Sequence, residues 1–248
     1  MTGSVTVAGL GPGDAALVTP EVTQALSRAT DVLGYVPYVA RITPRDGLRL
    51  HPSDNREELA RATHALEIAA AGGHAVIVSS GDPGVFAMAS ALFEALETWP
   101  GDRHPEIAIL PGITAMLAAA ARAGAPLGHD FCAINLSDNL KPFALVENRL
   151  RMAARGDFAM AFYNPRSKSR PHQFARVLDI LREECGGDRL ILFARAVTTP
   201  DEAIAVTTLA EATPEMADMR TVVLVGNSAT RRVGRWVYTP RSAESAAG

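Results

Sequence analysis

The sequence predicts an α/β protein of two domains, an N-terminal one built on a mainly parallel sheet and a C-terminal one on a mixed sheet. Three observations carry that prediction. Short apolar runs alternate with Ala- and Leu-rich stretches at helical spacing, the signature of strands joined by helical crossovers. Three of the runs stop abruptly in Gly- and Pro-rich turns, GLGPGD (9–14), SSGDPGVF (79–86) and PGIT (111–114). After about Pro126 the texture changes, and strands end in polar and basic clusters instead. The domains are therefore placed at 1–125 and 126–240, joined near residues 125–128, with a flexible tail at 241–248.

Residues 5–8 form the first strand and open directly into GLGPGD. Thr19 then caps a helix over 20–29 with Pro20 at its first position, where a missing N–H does no harm. Residues 31–34 make a second strand, and the following GYVPY places Tyr35 and Tyr38 at its exit, either packed at a rim or stacked on a ligand. Leu59, Ala62, Leu66 and Ala69 mark an amphipathic surface helix within 54–71 and leave His64 solvated. Residues 75–78 are a buried strand, and helical spacing resumes over 86–96. Asp82 thus sits in a loop at the carboxyl end of a strand, where open α/β sheets bind ligands; a plain helix-capping Asp is the alternative. Residues 107–110 form the next strand, and PGIT turns into a helix over 115–123 that stops at Gly124.

In the second domain, 131–135 and 158–162 are strands, each followed by a polar cluster, and a helix follows Pro142. Residues 190–194 and 203–208 flank Thr198-Thr199-Pro200-Asp201 as an antiparallel pair, and a last strand over 221–225 precedes the basic stretch 231–236.

Composition narrows the function classes. With 248 residues, 48 % hydrophobic and 21 % charged, the chain is globular and long enough for one large or two modest domains. No apolar run reaches the roughly 18 residues that span a bilayer, and no charged segment leads into a long apolar one, so neither a membrane span nor a signal peptide is expected and the protein reads as cytoplasmic. Cys132 and Cys185 form no CxxC pair and the six histidines no HExxH, which points to reduced thiols and no metal site. A net charge of −3 gives no global attraction to nucleic acid. GLGPGD is a poor dinucleotide loop, because Pro12 has no N–H to offer a pyrophosphate and Asp14 would repel one. A Rossmann-type enzyme would also need an acidic residue at the end of its second strand, and Val32-Leu33-Gly34-Tyr35 has none. A non-enzymatic binding module is the other class weighed; it would share the fold and lack catalysis.

GLGPGD, SGDPGVF, PGIT and FYNP, in that order and spacing, resemble the tetrapyrrole (corrin/porphyrin) methylase family over nearly the whole chain. Within it, GHDFCAINLSDNLKP, FYNPRSKSRPHQF and GYVPY are similar to the C17-methyltransferases of cobalamin synthesis, which act on precorrin-3B or, in the anaerobic route, on cobalt-factor III. The resemblance implies two α/β domains with S-adenosylmethionine folded in a cleft between them, held largely by main-chain groups and leaving as S-adenosylhomocysteine. Matching positions are Pro12 in the first loop, Gly81, Asp82 and Val85 in the second, and Thr114 with Ala115 in the third. Asn164, Val197 and Val222 match from the second domain, although Ala196-Val197 departs from an Asn-Gly-like pattern frequent in relatives. Glycines suit such loops because a backbone that closely approaches a ligand cannot carry a Cβ.

The implied reaction is methylation at C17 coupled to contraction of the macrocycle, giving precorrin-4, by a homodimer. Methyl transfer itself requires no metal. The contraction deprotonates a tertiary alcohol and calls for a general base. Candidates are His129, Asp138 and Asp14; His129 could equally be structural, and Asp138 could cap the helix after Pro142. The polycarboxylate substrate needs local cations, for which Lys141, Arg166, Lys168 and Arg170 are the candidates, with a solvated loop as the alternative.

Overall fold

The computed structural model of the chain describes residues 3–100 and 104–242. Of the expected tail, residues 243–248 lie outside the described residues. The chain forms two compact units that divide between Thr114 and Ala115, earlier than the 125–128 junction expected from sequence. The Ala/Leu-rich helix after PGIT therefore belongs to the second unit, because it packs against a strand of that unit's sheet.

The first unit runs β1 (Ser4–Gly9), α1 (Pro20–Arg28), β2 (Asp31–Tyr35), α2 (Val36–Val39), β3 (Arg49–Ser53), α3 (Glu58–Ala70), β4 (His74–Ser79), α4 (Met88–Glu97) and β5 (Glu106–Leu110). Its five strands are all parallel, in the order β3-β2-β4-β1-β5. Val5, Val7, Ala75 and Ile77 point to one face under α3 and α4, while Ala8, Val32, Val76 and Val78 point to the other with Val22 of α1 and Val39 of α2. Burial on both faces explains why these strands read as unbroken apolar runs. Thr19 caps α1 as expected, its Oγ1 accepting the Val22 N–H at 3.3 Å with Pro20 in the first turn.

Two local readings change. β3 was not apparent in the sequence, since RLHPS carries a proline and lies at a sheet edge. It is fastened by side chains: Asp31 on β2 accepts two hydrogen bonds from Arg49 at 2.7 Å each, and its Oδ1 lies 2.7 Å from His51 Nε2, while Thr30 donates to its Oδ2 at 2.7 Å. His64, expected to be solvated, meets His51 edge-on with ring centroids 4.8 Å apart. Burial alone would raise the pKa of the Asp31 carboxyl, but the bonds from Arg49, His51 and Thr30 outweigh it and bring the pKa down to about 2.

A folded-state pKa below the unfolded value contributes stability that is present above about pH 4 and lost as pH falls towards 2. Asp31→Asn is thus expected to cost roughly 2 kcal/mol at pH 7, an upper figure because the Arg49 side chain is 68 % exposed. Denaturant titrations at neutral pH and near pH 2 check this; a difference from wild type that persists at the acidic end overturns it.

The second unit runs α5 (Ala115–Ala123), β6 (Gly124–Ala125), β7 (Phe131–Asn135), α6 (Phe143–Arg155), β8 (Ala159–Tyr163), α7 (Gln173–Cys185), β9 (Leu190–Arg195), β10 (Ala203–Thr208), β11 (Thr221–Val225), β12 (Arg231–Val233) and β13 (Trp236–Tyr238). Its main sheet is mixed as predicted, in the order β10-β9-β11-β8-β7, with only β7 and β8 parallel. Phe162, Phe174, Leu178, Ile191, Phe193 and Val223 anchor its core. The basic stretch 231–236 lies in a small three-stranded sheet, β12-β13-β6.

Candidate active site

In the first unit, β1 and β4 are neighbours whose chains leave towards opposite faces, β1 to α1 and β4 to α4. That is a topological switch point, the place where open α/β sheets bind ligands. GLGPGD and SGDPGVF meet there through a reciprocal backbone pair: Gly11 donates to Gly81 O at 3.2 Å and Gly81 to Gly11 O at 2.9 Å. PGIT is added by Asp82, whose Oδ2 accepts the Gly112 N–H at 3.0 Å while its Oδ1 accepts the Gly84 N–H at 2.8 Å. Asp82 is therefore a staple between two loops, and not a helix cap.

The glycines are needed for the packing of the loops on one another. A Cβ on Gly112 would lie 2.2 Å from Gly81 O, and one on Gly9 would lie 2.6 Å from the same oxygen. They permit backbone to approach backbone across three loops. Gly11 and Gly81 also have φ of 66° and 67°, where L side chains are strained. Pro12 and Val85 are half-buried in these loops, and Thr114 is buried at the end of the third. Asp14 is exposed and caps a short 3-10 turn, accepting the Ala16 N–H at 2.9 Å.

In the second unit, the pairings place the exits of β7, β8 and β9 at one edge of the sheet, with Val222 of β11 opposite Ala194 near that edge. Three non-glycine residues there are left-handed: Asn164 (φ 54°), Ala196 (48°) and Thr198 (66°). For a β-branched residue such as Thr198 this is a strained state, and strain of this kind concentrates at functional sites. Val197, between two of them, is 4 % exposed. Asn164 donates from Nδ2 to Asn135 Oδ1 at 3.1 Å. Tyr163 Oη accepts the Met116 N–H at 3.0 Å and so satisfies a donor in the first turn of α5, just after Ala115.

The four expected substrate cations are not equivalent. Arg170 is buried: it donates to Asn164 O at 3.1 Å and lies 3.9 Å from Asp138, and burial lowers its pKa although Asp138 pulls it back up. Lys141 donates to Ser137 O at 2.9 Å, its pKa lowered by burial and then by Arg149. Arg166 donates to Pro171 O at 3.2 Å. Lys168 is exposed and makes no hydrogen bond or ion pair among the described residues. Asp138 accepts from Gln173 and does not cap α6, whose N-cap is Pro142 without a side-chain bond. His129 precedes β7 and so lies at the opposite edge from Asn135 and Asn164; its Nδ1 accepts the Asp130 N–H at 2.8 Å.

Arg41, Asn135 and Tyr163 organise these loops; Asn135 and Tyr163 fall within the GHDFCAINLSDNLKP and FYNP runs and Arg41 within none, but no local pattern shows their work, since each acts on residues about thirty or more positions away. Arg41 is the clearest case. Its guanidinium donates to Leu10 O at 2.6 Å, Gly13 O at 3.2 Å and Gly11 O at 3.3 Å.

Similarity to known proteins agrees with this geometry. A curated precorrin-3B C(17)-methyltransferase from Sinorhizobium sp is 51 % identical, with 97 % of each chain covered. A protein from Salmonella typhimurium named probable cobalt-factor III C(17)-methyltransferase is 36 % identical over 96 % of this chain and 98 % of its own. The crystal structure of the methyltransferase CobJ superposes with a TM-score of 0.94 at 79 % identity, covering 96 % of this chain and all of that one. Residues 4–213 match the sequence profile of the tetrapyrrole (corrin/porphyrin) methylases, and the chain belongs to that family.

Proposed function

We propose that this protein methylates C17 of precorrin-3B, with S-adenosylmethionine as donor, and contracts the macrocycle to give precorrin-4 in cobalamin synthesis. The carrying observation is the full-length likeness to a precorrin-3B C(17)-methyltransferase, closer than the likeness to the cobalt-factor III enzyme. The first unit's loops fit the donor. A Pro12 without an N–H and carboxylates at Asp14 and Asp82 suit a ligand with a cationic sulfonium and ammonium, and they do not suit a pyrophosphate.

When bound, S-adenosylmethionine supplies an electrophilic methyl group. Pro12, Gly81, Asp82, Val85 and Thr114 are assigned to hold it, with Ala115, Asn164, Val197 and Val222 contributing from the second unit as the family resemblance implies. Stapled loops serve orientation, and aligning reactants in this way can supply ~7–11 kcal/mol of a barrier. Lys141, Arg166 and Lys168 are assigned to the substrate's carboxylates. For the base, Asp138 and Asp14 follow strand exits and His129 does not; Asp138 is preferred because Gln173 and Arg170 hold it near Lys141. The protein works as a cytoplasmic homodimer; no described helix is long and apolar enough to cross a membrane. A monomer by light scattering at micromolar concentration overturns the dimer.

Incubation with precorrin-3B and S-adenosylmethionine should add one methyl group by mass spectrometry and change the macrocycle's absorption. Turnover of cobalt-factor III but not of precorrin-3B would place the protein in the anaerobic route instead.

A further inference from the structure

We propose that Arg41 is a positioning residue for methyl transfer: it sets the conformation of the first loop without touching the ligand. The inference rests on the reading that this loop contacts S-adenosylmethionine. GLGPGD has little to order it from within, since it holds three glycines, and its proline can donate no hydrogen bond. One guanidinium gathers the carbonyls of Leu10, Gly11 and Gly13. Their oxygens converge on it, and the loop between them, Pro12 included, is fixed from outside.

The GYVPY segment explains how Arg41 arrives there. A Cβ on Gly34 would lie 2.7 Å from Val78 Cγ2 and 3.2 Å from Val39 Cγ2, so the glycine lets α2 settle directly on the sheet. Tyr35 and Tyr38 meet edge to face with centroids 5.4 Å apart, bracing the turn. Ile42 then donates to Val39 O at 2.9 Å and Arg41 to Tyr38 O at 3.1 Å, which ends α2 with Arg41 facing the loop. Arg41 is exposed as a whole, and contact with the loop shields part of its guanidinium from water, which lowers its pKa, with Tyr38 opposing. A lysine could not replace it, because an ammonium lacks the planar fork that reaches several carbonyls at once.

A pre-ordered loop binds more tightly than one ordered at the moment of binding. In calorimetry with S-adenosylhomocysteine, the full-length Arg41→Ala protein is expected to bind about ten- to a hundredfold more weakly than wild type. Arg41→Lys should recover only part of the loss. Millimolar guanidinium should restore affinity to Arg41→Ala while leaving wild type unchanged, and KM for the donor should rise with kcat kept. Amide exchange of residues 9–14 should accelerate in Arg41→Ala. Wild-type affinity in a folded Arg41→Ala protein, or no rescue by guanidinium, overturns the role of Arg41. A wild-type protein that fails to bind S-adenosylhomocysteine overturns the cofactor reading of the loop, and this role with it.

Discussion

Gly112→Ala is expected to destabilise the first unit by more than about 4 kcal/mol, the range reserved for severe steric or cavity defects. The added methyl would lie 2.2 Å from Gly81 O and 2.9 Å from both Gly9 Cα and Gly9 O. All three are backbone atoms, so no rotamer change relieves the clash. PGIT would have to leave SGDPGVF, and the Asp82 bond to the Gly112 N–H would break with it. Gly84→Ala is the matched control in the same cluster. Its Cβ would meet only Asp82 Oδ1 at 3.2 Å, and φ there is not positive, so a change within about 1 kcal/mol is expected. Denaturant unfolding of both variants tests the contrast. Gly81 is a poorer position for it, because its φ of 67° penalises any side chain whatever the space. A Gly112→Ala protein as stable as wild type would mean that the three loops are not packed backbone to backbone.

Much of the fold could be read from the sequence because both faces of the first sheet are buried. β1 and β4 appear as apolar runs for that reason, β5 is a partly exposed apolar run at the sheet edge, and each ends in a glycine-containing loop. The mixed character of the second sheet followed from the hairpin at Thr198-Thr199-Pro200-Asp201. β3 escaped because nothing in RLHPS favours a strand; Asp31, eighteen residues before Arg49, supplies the reason. β6 escaped for a similar reason: two residues, Gly124 and Ala125, pair with β13 at the far end of the chain.

The candidate site divides in the same way. Its loops were visible as glycine-rich strand ends, but the work of their side chains was not. Asp82 read as a ligand contact or a helix cap; it is not the cap, and the bonds by which it staples two loops join residues that no local pattern links. Arg41 carried no motif at all, since a guanidinium that binds three carbonyls needs only to be near them in space. At Ala196 and Thr198 the sequence gives no glycine to announce a left-handed backbone, so the strain appears only in three dimensions.

The basic cluster after β8 shows most directly how burial reassigns residues of one charge. Arg170→Ala is expected to lower stability by about 2–3 kcal/mol, and the melting midpoint by roughly 5–10 °C, because it removes a charged hydrogen bond to Asn164 O from a side chain that is 8 % exposed. Asp138 would also lose a cationic neighbour and shift its balance towards Gln173. Lys168→Ala should do the opposite. Its side chain is exposed, so stability should hold, while affinity for a polycarboxylate tetrapyrrole falls by about 0.2–1 kcal/mol. That loss should fade as salt is added, since exposed charges are screened beyond a Debye length of about 10 Å at 0.1 M. Thermal unfolding and substrate titration at two salt concentrations separate the two roles. If Arg170→Ala keeps the wild-type midpoint and loses substrate affinity instead, its guanidinium serves the ligand, and the loop after β8 is held by other bonds.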